Sequence, residues 1–139
     1  MRSPKPREGE FLRLNVGKLQ VWIDRGKIDP SKKITLKTLQ DSKLCSRTKY
    51  GVKLLGDGAL GFVSKIDIEI SAASKTAIEA VERNGGRIVA KYYSPLTLRA
   101  LLKPEKFKVL PKEFPPTKNK LLDFYTNPEK NGYLSSKFI

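Results

Sequence analysis

Apolar and polar positions alternate most clearly between Lys53 and Gly86. Val52, Leu54 and Leu55 make a short apolar run, which Gly56-Asp57-Gly58 interrupts. From Phe62 onward the pattern has period two. Phe62, Ile66, Ile68 and Ile70 fall on one face and Lys65, Asp67 and Glu69 on the other, the signature of a half-buried strand. Ser74 follows where a hydroxyl can accept a backbone N–H at a helix start. Ala77, Ile78 and Val81 recur at helical spacing, and Gly85-Gly86 supplies the residues that tolerate a left-handed helix end. The stretch predicts strand, glycine turn, strand, capped helix: a ββα unit.

The same reading extends to both sides. Asn15 caps a predicted helix carrying Val16, Leu19, Trp22 and Ile23 and ending near Gly26, which places Trp22 on the core stripe rather than as a base-stacking platform. Asp29-Pro30-Ser31-Lys32-Lys33 reads as a turn, and Thr35 caps a short helix with Leu36 and Leu39. Arg87 to Tyr93 reads as a third strand. Ser94-Pro95 starts a helix with Leu98, Leu101 and Leu102 on one side, and Pro104 ends it. Lys103 to Lys120 holds six lysines against Glu105 and Glu113, with four prolines and no periodicity. It is an extended segment suited to lying on a partner. Thr117 is the expected cap of a last helix with Leu121, Leu122 and Tyr125, and Asn127 to Leu134 reads as turn and tail.

Composition adds size and charge. The 139 residues allow one domain that buries about two-thirds of its unfolded surface. The chain carries 28 Lys and Arg against 14 Asp and Glu, a formal charge of +14. That excess repels itself in a compact state, and a polyanion relieves it. No apolar run approaches the roughly 18 residues that span a bilayer, and no lone basic amphipathic helix offers a surface anchor. Nucleic acid is therefore the expected partner and a membrane is not. No zinc-finger, RRM or KH signature is present, so recognition by shape and phosphate is expected rather than base readout.

Catalytic material is sparse. Gly56, Gly58 and Gly61 match GxGxxG, but that fingerprint works only where the glycines lead directly into a helix facing a pyrophosphate. Here an alternating strand follows, so the glycines read as turn residues. A nucleotide-dependent enzyme using the Gly56–Gly61 turn is the alternative, and it requires a helix directly after Gly61. There is no histidine, which removes the commonest general base and metal ligand. Cys45, the single cysteine, reads as a small semi-buried apolar residue. Asp67 and Glu69 read as solvated partners of lysines. Neither a cofactor, a metal nor a small-molecule substrate is expected.

Leu14-Asn15-Val16-Gly17-Lys18-Leu19, then Lys53-Leu54-Leu55-Gly56-Asp57-Gly58-Ala59-Leu60, then Ser74 to Glu82 closing on Gly85-Gly86 resemble large-subunit ribosomal protein fifteen, a universal family. Those motifs cover about residues 13 to 91. Tyr92 to Arg99, Lys103-Pro104, Tyr125-Thr126 and Asn131 to Leu134 are similar to the C-terminal extension of the mitochondrial form. The resemblance implies a small mixed α/β domain of irregular ββα turns. It divides the chain into a basic arm (1–12), a globular rRNA-binding domain (13–93) and an extended C-terminal segment (94–139). The family's long Gly/Arg/Lys-rich arm is matched here only by Met1 to Arg7. The implied role is structural: a mitochondrial-matrix ribosome component bound to large-subunit rRNA and neighbouring proteins. A basic protein-binding adaptor is the remaining alternative. Charge placement nominates Arg2, Lys5, Arg7, Lys18, Lys32, Lys33, Arg47, Lys49, Lys53, Lys75, Arg87, Lys91 and Arg99 as RNA contacts.

Overall fold

A single extended run, residues 67–73, serves two small sheets. The computed structural model describes residues 11–45 and 51–138. Strand β1 (Leu12–Asn15) leads directly into α1 (Val16–Asp24), and after a turn comes α2 (Leu36–Asp41). Then follow β2 (Val52–Leu55), β3 (Asp67–Ile70), β4 (Ala72–Ala73), α3 (Lys75–Arg83), β5 (Arg87–Ala90), α4 (Pro95–Leu102) and α5 (Asn119–Tyr125). One sheet has the order β1-β2-β4 and the other pairs β3 with β5, every pairing parallel.

Ser71 is the pivot between them. Its amide donates to the Val52 carbonyl and its hydroxyl accepts from the Val52 amide, both at 3.2 Å. The chain therefore leaves the β3–β5 pair at Ile70 and joins β2 immediately afterwards. Gly51, at φ +99°, fits beside this pivot because an added Cβ would run into the Ser71 hydroxyl.

Parallel strands need crossovers, and their inner faces are buried by the helices that make them. Leu14, Val52, Leu54, Ile68, Ile70 and Ile88 meet Leu19, Leu36, Leu39, Ala77, Val81 and Leu98 in one core. Helix starts follow local hydroxyl chemistry. Ser74 accepts from the Ala77 amide, Ser94 accepts from the Thr97 amide, and Thr35 closes a reciprocal box with Thr38.

The strands depart from expectation in length and partner. The alternating run from Phe62 becomes a strand only at Asp67; residues 62–66 keep the in–out burial without ladder bonds. Strands β2 and β3 flank the glycine turn but lie in different sheets, since each finds a parallel partner elsewhere. The third strand stops at Ala90 rather than Tyr93. Thr117 does not cap the last helix: Lys118 occupies that position with no side-chain hydrogen bond. Residues 103–118 contain one 3-10 turn, Pro104–Lys106, and are otherwise irregular.

Beyond α5 the chain returns to the body. The Ala90 amide donates to the Asn131 carbonyl and the Ala90 carbonyl accepts from the Tyr133 amide, both at 2.8 Å. The Asn131 side chain also donates to the Ile88 carbonyl at 2.8 Å. Residues 131–133 thus extend the edge of β5.

Candidate nucleic-acid interface

The carboxyl ends of β1, β2 and β4 open onto the same side of their sheet because all three run parallel. There β1 turns into α1, β2 into the glycine turn, and β4 into α3. The turn is held between the two helix starts. The Gly17 amide donates to the Asp57 carbonyl at 2.9 Å, and a Cβ on Gly56 would meet the Thr76 side chain at 2.5 Å. Lys18 and Lys75, both exposed, follow Gly17 and Ser74 and so stand on either side of the turn.

The turn does not cradle a phosphate. Its own carbonyls take up the donors such a ligand would need: Ala59 donates to Gly56, Gly61 to Gly58 and Phe62 to Ala59. Residues 62–66 are not helical and 67–70 are β3, so the helix a dinucleotide site requires after Gly61 is missing there. The loop is clamped from outside as well. Arg83 donates to the Ala59 carbonyl at 2.7 Å, and Asn84 donates to the Phe62 carbonyl at 2.8 Å. The buried Gln20 carbonyl oxygen accepts from the Val63 amide and the Ser64 hydroxyl, both at 3.0 Å.

The sheet face adds a second pair of cations. In the β1–β2 register Arg13 sits opposite Lys53, on the face away from Leu14 and Leu54. Like charges directly across a ladder destabilise it unless an anion lies over them. Among the described residues neither has a carboxylate within 4.0 Å. Charge placement in the sequence nominates Lys53 but misses Arg13, although Leu12-Arg13-Leu14-Asn15 has the period-two pattern that marks it.

The other nominated cations are placed differently. Lys33 pairs with Glu69 at 2.7 Å and Lys91 with Glu113 at 3.0 Å, so their charge is largely answered within the chain. Arg87 lies over the Phe138 ring, 5.2 Å from its centroid. Lys32 is exposed in the turn before α2, and Arg99 is exposed in the last turn of α4. Arg2, Lys5, Arg7, Arg47 and Lys49 lie outside the described residues.

Of the candidate reacting groups, Cys45 and Glu69 are inert or occupied. Asp67 makes no ion pair with a described lysine and has one carboxylate oxygen buried without a hydrogen-bond partner. Cys45 is buried, and desolvation pushes its thiol up to about 11, leaving it protonated at neutral pH. Glu69 is the partner of Lys33. Among the described residues no group of three or more His, Cys, Asp and Glu is arranged to hold a metal, and no helix is long and apolar enough to cross a membrane.

Comparison with known proteins gives the geometry its family. The chain is 44% identical over 125 residues to large ribosomal subunit protein uL15m of Schizosaccharomyces pombe, covering 90% of this chain and 49% of that one. It is 39% identical over 137 residues to the protein of the same name from Danio rerio, covering 93% and 46%. Large ribosomal subunit protein uL15 of Beijerinckia indica is 34% identical over 95 residues, 68% of this chain and 58% of that protein. The chain spans about half the length of the curated relatives it matches. Residues 13–89, which run from Arg13 through most of β5 and include both cation pairs, match the family model that unites the 50S ribosomal proteins L15 and L18e with their 60S counterpart. The chain belongs to that ribosomal protein family.

Proposed function

We propose that this chain is a structural, non-catalytic component of the large subunit of the mitochondrial ribosome, where it holds large-subunit rRNA by its phosphates. The observation that carries the reading is the four-cation surface around one sheet. Arg13 and Lys53 are aligned on its outer face, and Lys18 and Lys75 flank the glycine turn at its carboxyl end. A phosphate backbone neutralises such a surface without reading bases. The mitochondrial assignment is supported by relatives named uL15m that align over about nine-tenths of the chain.

The test is salt dependence. With ten or so cations meeting phosphates, binding of the purified chain to a large-subunit rRNA fragment should weaken with a log–log slope of order −7 to −9. Arg13→Ala with Lys53→Ala should make that slope shallower by about 2. A wild-type slope near −1 would remove the phosphate reading.

A protein contact is favoured by a separate observation. Val109 and Phe114 are 83% and 71% exposed on the lysine-rich stretch between α4 and α5. Apolar side chains held in water gain from a protein groove, and phosphates offer them little. Crosslinking of the native particle should join residues 103–120 to a neighbouring protein; crosslinks to rRNA alone would count against this contact.

A further inference from the structure

Trp22 is the only tryptophan in the chain, and it is half-buried rather than enclosed. Its indole N–H donates to the Ser42 carbonyl at 3.0 Å, which fixes the ring against the start of the turn after α2. Three cations crowd that ring. The Lys27 ammonium is 5.1 Å from its centroid, and the Lys18 ammonium and Arg25 guanidinium are each 5.8 Å away. Any two of them are therefore separated by no more than about twice those distances. Lys18 stands four residues before Trp22 and Arg25 three after, so the helix itself gathers them.

An aromatic face attracts a cation, but three cations sharing one ring repel each other. No carboxylate among the described residues lies within 4.0 Å of any of them. Asp24 instead accepts from the Gln20 amide at 2.8 Å, and Asp29 from the Ser31 amide and hydroxyl. The fold has thus assembled and positioned a cluster of positive charge that no described carboxylate balances.

We propose that the surface around Trp22, formed by Lys18, Arg25 and Lys27, is a phosphate-binding patch for an RNA strand. The proposal rests on the rRNA-binding reading and extends it to residues outside the four-cation surface, with Lys18 joining the two. A nucleic-acid backbone presents closely spaced charges, so a patch of this width meets several phosphates at once. The ring stiffens the cationic side chains, and Arg25 presents a planar fork that matches a phosphate. The bases are not read.

The single tryptophan makes the patch its own reporter. The full chain is titrated with a short RNA duplex at several salt concentrations, following both Trp22 emission and the anisotropy of labelled RNA. Emission should change in step with anisotropy. The variant Arg25→Gln, Lys27→Gln, which leaves Lys18 in place for the four-cation surface, should bind about fiftyfold more weakly at about 0.1 M salt, with a slope shallower by about 2. The charge-keeping variant Arg25→Lys, Lys27→Arg should keep the wild-type slope, which separates lost charge from lost folding. If the chain binds RNA while emission stays constant and the Gln variant keeps its slope, the patch is overturned and the broader reading stands. If the chain binds no RNA, both fall.

Discussion

Gly58→Ala is expected to lower the melting temperature by about 10 °C, and Gly61→Ala to leave it unchanged. Gly58 has φ +86°, and a Cβ built there lies 2.5 Å from the Gly17 Cα and 2.9 Å from the Gly17 nitrogen. Both are backbone atoms in the first turn of α1, so no side chain can rotate away. The left-handed conformation costs a non-glycine residue about 1–2 kcal/mol, and forcing the turn off the helix costs about 1–3 kcal/mol more. A total of about 3 kcal/mol corresponds to about 10 °C in a chain of this size. Gly61 has open space at the same position and no left-handed backbone. Paired thermal melts by circular dichroism check the contrast. A dinucleotide site would need its third glycine for close helix packing, so equal damage from both substitutions would contradict the turn reading.

What the sequence shows well here is chemistry completed within one turn of chain. Ser74, Ser94 and Thr35 sit three residues from the amides or hydroxyls they bond, so their caps are legible. The alternation of Ile66, Ile68 and Ile70 reports burial correctly, because a side chain's face depends on local period even where ladder bonds are absent. Pairing is not legible. Two-residue β4 carries too few residues for a period, four-residue β1 shows its alternation but not its neighbour, and the partners of both lie across crossovers. Charge is legible as a total and not as a map. In sequence Lys33 and Lys91 look like Lys18 and Lys75; only the fold brings Glu69 and Glu113 to them. Trp22 belongs to an apolar stripe, yet its helix neighbours at four and three residues are the clue to its second role.

The cations sort themselves by what the fold leaves beside them. On β3, Glu69 lies between core residues and answers Lys33. Along β1, the start of α1 and the start of α3, the exposed cations Arg13, Lys18 and Lys75 have no described carboxylate within 4.0 Å. Arg13, Lys18, Lys53 and Lys75 thus leave a positive surface around one sheet, an arrangement that steers a polyanion. The glycine turn serves the same end by holding the two helix starts in register.

Tyr125→Ala should destabilise the chain by about 3–5 kcal/mol, as for other buried aromatics cut to alanine, or about 15 °C in melting temperature. Tyr125 is 2% exposed although it lies near the end of the chain. Its ring makes edge-on contacts with Tyr92, Phe124 and Tyr133, with centroids 5.8, 4.9 and 5.8 Å away. Its hydroxyl donates to the Ser71 carbonyl at 2.9 Å, at the residue where the chain changes sheets. Burial raises the phenol's pKa further, so the donor stays protonated throughout the physiological range. Tyr125→Phe keeps the ring and strands only the Ser71 carbonyl, so it should cost about 1–2 kcal/mol. The same residue also fixes Gly132, where an added Cβ would collide with the Tyr125 carbonyl. Losing the ring removes its edge-on contact with Tyr133 and so loosens the strand edge that Asn131 and Tyr133 build on Ala90. Hydrogen exchange should register this as faster exchange at Ala90 and Tyr133 in Tyr125→Ala and little change in Tyr125→Phe. Equal melting temperatures for the wild type and Tyr125→Ala would mean that the C-terminal segment contributes nothing to holding the two sheets together.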